Sequence, residues 1–111
     1  MLVSNLKPPY YAVIFSTILN TESDATNSTI PADYQTTAER MMQLAAQQDG
    51  FLGVESARAD IGITVSYWRD LAAIQQWKNN SQHQWAKQQG KANWYQDYRV
   101  RIAKVEHDYD F

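Results

Sequence analysis

The stretch Tyr10–Leu19, YYAVIFSTIL, constrains the fold more than any other. It is dense in β-branched and aromatic side chains, the composition of a strand. Side chains alternate between the faces of a strand. Tyr11, Val13, Phe15 and Thr17 therefore share one side, and Ala12, Ile14, Ser16 and Ile18 the other. Both sides are mainly apolar. Such a strand belongs inside a sheet, covered by helices on one face and by further protein on the other. A chain of 111 residues supplies one two-layer core and not two. The second cover is then expected to be another copy of the chain, packed about a two-fold axis.

The flanking segments supply the helices and the remaining strands. Met1–Pro9 reads as a mobile arm, because Pro8 and Pro9 cannot both join a ladder, and a single domain follows over residues 10–111. Asn20–Pro31 is a polar surface loop. Asp33–Gln48 is a helix with Tyr34, Ala38, Met41 and Ala45 on one stripe and Gly50 as its stop. Phe51–Ala59 and Gly62–Trp68 form a hairpin. Asp70 caps a second helix with Leu71, Ile74 and Trp77 inward. Asn79–Asn80 is expected to break that helix, and Ser81-Gln82-His83-Gln84 to restart it as a capping box ending at Gly90. Tyr98–Tyr109 alternates as a last strand. Val100, Ile102 and Lys104 point one way; Arg99, Arg101, Ala103 and Val105 the other. The order β-α-β-β-α-β predicts an α+β, ferredoxin-like domain: a four-stranded antiparallel sheet with both helices on one face.

Composition removes several function classes. A formal net charge of −2 and the absence of a Lys/Arg run argue against nucleic acid as a partner. No apolar run reaches the roughly 18 residues of a membrane span, and Met1–Pro9 lacks the pattern of a secretory signal. The chain has no cysteine, which excludes disulfides and thiolate chemistry and leans to the cytoplasm. His83 and His107 stand apart from any metal-ligand spacing, so no metal is expected. No Gly-rich loop opens a helix, so neither a nucleotide nor a flavin cofactor is expected. The unusual quantity is aromatic: four Trp, seven Tyr and three Phe. That is either an aromatic core or the lining of a pocket or dimer interface.

The element order resembles the antibiotic biosynthesis monooxygenase (ABM) superfamily of dimeric α+β barrels. Gly50-Phe51-Leu52 after the first helix, and Tyr67-Trp68 before a helix carrying Trp77, carry the resemblance. GFLGVESARA, ITVSYW, WKNNSQHQWAKQQGKANWY and RIAKVEHDYDF are closer still to an uncharacterised bacterial subgroup. The resemblance implies a homodimer, a site between sheet and helices lined by aromatics, and cofactor-independent oxygenation of an electron-rich aromatic or quinol-like molecule. It also implies a pocket-shaping role for Trp68. The haem-degrading branch carries an axial histidine that aligns here with Lys87, one turn beyond His83, which speaks against haem chemistry.

Within that frame His83 is the candidate general base. At the start of a restarted helix the dipole would favour a neutral imidazole able to take a phenol proton. Trp68, Trp77, Trp85 and Trp94 are candidate walls for a flat ligand, with Trp77, on the apolar stripe, the one best explained by core packing. Tyr67, Tyr95 and Tyr98 offer hydroxyls, and Arg101 could steady an anionic intermediate. Each also has a plainer use: a surface histidine, core tryptophans, satisfied tyrosines, an interstrand or dimer ion pair. Two other function classes stay open: a dimeric small-molecule binding or stress-response module without catalysis, and a haem-binding or haem-degrading protein.

Overall fold

In a computed structural model the described residues are 2–20, 32–87 and 95–110, the side chains of 32–33 and 82–87 excepted. The elements run β1 (Tyr10–Leu19), α1 (Ala32–Ala46), β2 (Phe51–Arg58), β3 (Gly62–Trp68), α2 (Leu71–Lys87) and β4 (Tyr95–Val105). The sheet order is β2-β3-β1-β4 and every pairing is antiparallel. β1 is thus a central strand, as its two apolar faces require, and the domain is a ferredoxin-like α+β fold. The loop expected over Asn20–Pro31 lies almost wholly outside the described residues, as does the expected stop at Gly90.

The register sorts side chains into rows across the helix side of the sheet. One row is Phe51, Trp68, Tyr11 and Lys104. The next is Val54, Ser66, Val13 and Ile102, then Ser56, Thr64, Phe15 and Val100, then Arg58, Gly62, Thr17 and Tyr98. The helices close on the first of these rows. Ala45 of α1, Trp68, and Ala73 and Ile74 of α2 make the buried cluster, with Tyr11, Met42, Phe51 and Trp77 packed against it. A second cluster lies at the other end, where Leu19 and Tyr34 are buried beside Ala38 and Tyr95. Apolar burial of this kind contributes about 1.5–3 kcal/mol per large side chain.

The turns have local causes. Gly50 sits at φ 87°, and a Cβ there would stand 2.6 Å from Ala73 Cβ, so glycine alone lets α1 end against α2. Asp70 Oδ1 accepts from the Ala73 N–H at 2.8 Å and caps α2.

Two expectations need correction. Helix α2 does not break at Asn79–Asn80. Asn79 accepts from Gln75 at 3.1 Å, and Asn80 donates to Gln48 Oε1 at 3.0 Å. Ser81 Oγ donates back to the Lys78 carbonyl at 3.0 Å instead of capping a new helix. Leu71 is 53% exposed, because the inward stripe of α2 is centred on Ala73, Ile74 and Trp77. Val3 of the N-terminal arm meets the sheet: its N–H donates to Glu55 Oε2 at 2.8 Å, and its side chain lies on Gly53, where a Cβ would meet it at 2.8 Å.

Candidate functional site

The pleat divides the sequence candidates between two faces. Trp68 and Tyr98 face the helices. Tyr67 pairs with Ala12 and Arg101 with Ile14, both on the opposite face. His83 lies on α2, but its side chain, like that of Trp85, is outside the described residues, and so is all of Trp94. The continuity of α2 removes one argument for His83. It stands thirteen residues into a 17-residue helix, so no N-terminal dipole acts on its imidazole.

On the helix side, Trp68 is fully buried. Its Nε1–H donates to Ser66 Oγ at 2.8 Å, Phe51 meets it edge-on at 5.4 Å, and Trp77 stacks over it at 6.1 Å and 21°. Trp68 therefore offers no surface to a ligand; Trp77, half-buried above it, does. Along β4 the described parts of the helices leave the strand open. Tyr98, Val100 and Ile102 are 60%, 52% and 51% exposed, although they face the helix side beside Phe15 and Val13. Phe15 meets Tyr95 and Tyr98 edge-on at 5.8 and 6.1 Å, and Tyr95 meets Tyr34 at 5.6 Å. This is a bare aromatic and aliphatic strip with tyrosines at one end. Burial first, and then the neighbouring Tyr34, hold the Tyr95 hydroxyl above the usual phenol range, so it stays a hydrogen-bond donor.

Arg58 and Tyr34 are polar groups of this region that sequence reasoning did not single out as site residues; Tyr95 it did. Arg58 Nη2 donates to Thr17 Oγ1 and lies 3.5 Å from the Tyr34 hydroxyl. The available signal was a strand glycine, Gly62, placed across the hairpin from a long side chain.

The opposite face is braced by the chain ends. Tyr67 donates to Glu55 Oε1 at 2.7 Å, Tyr10 packs edge-on to Tyr67 at 5.7 Å, and Tyr10 donates to Asp108. Burial, then the carboxylate partner, pushes each of the two hydroxyls up to about 12. The Tyr67 hydrogen bond, then the Val3 N–H, holds the Glu55 carboxyl below its ordinary range. Beyond this clasp Ile18 and Ile63 are exposed. A depression of about 180 Å³ lies nearby, lined by Ser16, Ile18, Asp97, Tyr98, Arg99 and Arg101 among others. It is smaller than the roughly 300–1,000 Å³ of ligand clefts, and its rim is charged.

Among the described residues no three His, Cys, Asp or Glu side chains come together as a metal site. No helix among them is long and apolar enough to cross a membrane.

Comparison with known proteins agrees with this architecture. The profile of the family described as antibiotic biosynthesis monooxygenase matches residues 31–89. Over 102 residues the chain is 53% identical to the uncharacterized protein YqjZ of Bacillus subtilis (strain 168), covering 90% of this chain and 82% of that protein. Among solved structures, SnoaB, a cofactor-independent oxygenase from Streptomyces nogalater, superposes with a TM-score of 0.68 at 10% identity, over 90% of this chain and 96% of SnoaB. PA3566 from Pseudomonas aeruginosa gives 0.64 at 13% identity, over 95% of this chain and all of that one. At such identities the structures speak to the fold alone; the profile and the Bacillus relative speak to kinship. With a profile spanning more than half of its residues and a relative identical at more than half of the aligned positions, the chain belongs to the antibiotic biosynthesis monooxygenase family.

Proposed function

We propose that the protein is a cofactor-independent monooxygenase that takes a flat, electron-rich aromatic or quinol-like molecule on the helix side of its sheet. The observation that carries the reading is the bare strip of Tyr98, Val100 and Ile102 beside Phe15 and the tyrosine cluster. Monomeric proteins seldom expose large apolar side chains in a row on the face that their own helices pack against. Family membership and the activity stated for SnoaB support the same class of reaction.

In this reading the substrate supplies the electrons. A base takes a phenolic or benzylic proton, and the electron-rich anion reduces dioxygen. A ring CH₂ becomes C=O: one oxygen atom enters the product and the other leaves as water, with four electrons passing from carbon to dioxygen. His83 is proposed as the base, Trp77 and Tyr98 as contacts for the ring system, and Trp85 and Trp94 as further walls. Trp68 acts behind Trp77, holding it in place. Tyr67 and Arg101, on the other face, are proposed to serve a homodimer contact centred on Ile18 and Ile63, in a cytoplasmic protein. Ile63→Glu is then expected to shift the sedimenting species from dimer to monomer.

The test is oxygen uptake with a panel of anthrone-like phenols and quinols, with mass analysis of the products. The expected result is uptake above the uncatalysed rate and a product with one oxygen more and two hydrogens fewer. His83→Ala is expected to lower turnover while the oligomeric state persists; unchanged turnover removes His83 from the mechanism. No uptake across the panel, with the same compounds bound, favours a binding module without catalysis.

A further inference from the structure

One side chain crosses the helix side of the sheet where another would ordinarily stand. Arg58, Gly62, Thr17 and Tyr98 form one row across all four strands. Arg58 lies along that row and over Gly62. A Cβ at Gly62 would stand 2.0 Å from Arg58 Nη2 and 2.2 Å from Cζ, so the path exists only because residue 62 is glycine. At the end of the path Nη2 donates to Thr17 Oγ1, on a residue only 3% exposed. The guanidinium carbon lies 5.8 Å from the centre of the Tyr34 ring.

No carboxylate among the described residues pairs with this cation: their ion pairs are those of Arg69 with Asp49 and Asp70, and Arg58 is itself exposed. A guanidinium carries five N–H groups. The described contacts engage Nη2 and leave the donors of Nε and Nη1 to an outside acceptor. Two such donors in one plane suit the two oxygens of a carboxylate, or a single phenolate oxygen. The neighbourhood is aromatic: Tyr34 under the guanidinium, then Tyr95, Tyr98 and Phe15 in edge contact. From Tyr98 to Ile102 along β4 is about 13 Å at strand spacing, long enough for fused rings to lie flat with one end at the Arg58 row.

We propose that Arg58 anchors an anionic oxygen, carboxylate or phenolate, of the aromatic ligand of the helix-side site, with Gly62 and Thr17 as the residues that position it. The ligand class is thereby narrowed from electron-rich aromatics to acidic ones. This rests on the helix-side reading given under Proposed function.

The test is calorimetric titration of the full chain with 2-naphthoate and with its neutral counterpart 2-naphthamide. Arg58→Gln, Gly62→Ala and Arg99→Gln are titrated in parallel. The wild type is expected to bind naphthoate at least about tenfold more tightly than naphthamide, as a charge-assisted, bidentate contact allows. Arg58→Gln and Gly62→Ala are expected to remove the preference and leave naphthamide affinity within about twofold. Arg99→Gln, on the opposite face, is expected to keep the preference. Gly62→Ala retains the charge and moves it, so it carries the test if Arg58→Gln does not fold, as judged by circular dichroism. Equal affinity of the wild type for the two probes overturns the Arg58 assignment and leaves the helix-side site standing. A preference that survives Arg58→Gln, or vanishes in Arg99→Gln, does the same. If neither probe binds, the helix-side site and the Arg58 assignment fall together.

Discussion

The two faces of this sheet are built from the same strands but held in different ways. On the helix side, cohesion comes from dry aromatic packing, with Trp68 sealed under Trp77 and beside Phe51. On the opposite side it comes from hydrogen bonds between tyrosines and carboxylates that clasp both chain ends: Val3 and Tyr67 on Glu55, Tyr10 on Asp108. Packing is insensitive to pH and intolerant of lost volume; the clasp is the reverse. In the function proposed above, the packed side presents its exposed β4 strip to the ligand and the clasped face receives a second copy of the chain.

The largest way to break the contrast is Trp68→Ala. Removing a fully buried indole is expected to destabilise the domain by about 3–5 kcal/mol, read by urea unfolding, whereas Tyr67→Phe on the other face is expected to cost far less. Gly50→Ala comes next. It forces a side chain into a left-handed conformation and against Ala73, for a loss of more than about 1 kcal/mol in the same measurement.

The clasp is tested by pH. Tyr10 and Tyr67 titrate near 12 in the fold and near 10 when unfolded. A raised folded value means that their contribution is complete below pH 10 and is lost as pH rises through 10 toward 12. Tyr67→Phe is expected to flatten that decline. Glu55 runs the other way. Its lowered folded value gives stability that is complete above the ordinary carboxylate range and is lost as pH falls through the folded value. Amide exchange at Val3 is expected to accelerate there, and in Glu55→Gln at neutral pH. The smallest effect is expected at Asp70→Ala, which removes one cap of α2 and lowers the thermal midpoint by a few degrees at most.

Much of the fold was legible because the signals are local. Two apolar faces put Tyr10–Leu19 at the centre of the sheet, and Asp70 and Gly50 announced helix ends by their own chemistry. The break at Asn79–Asn80 was misread because asparagine disfavours helix only when its side chain competes for the backbone. Here Gln75 and the distant Gln48 occupy those side chains, and Gln48 could be placed beside Asn80 only in three dimensions. The candidate site was legible as aromatic content but not as a surface. Tyr67 and Trp68 are adjacent in a strand, so the pleat alone separates them, and the same period separates Tyr98 from Arg101. The Arg58 row needed the register of all four strands, which no single segment encodes.

The central claim is that ligand lies on the helix side, along β4. The most direct measurement is a methyl-resolved NMR titration with 2-naphthol, following isoleucine and valine methyls on both faces. Shifts concentrated at Val13, Val100 and Ile102, with Ile14, Ile18 and Ile63 unmoved, are the predicted result. Shifts concentrated at Ile14, Ile18 and Ile63 would contradict it and move the site to the opposite face.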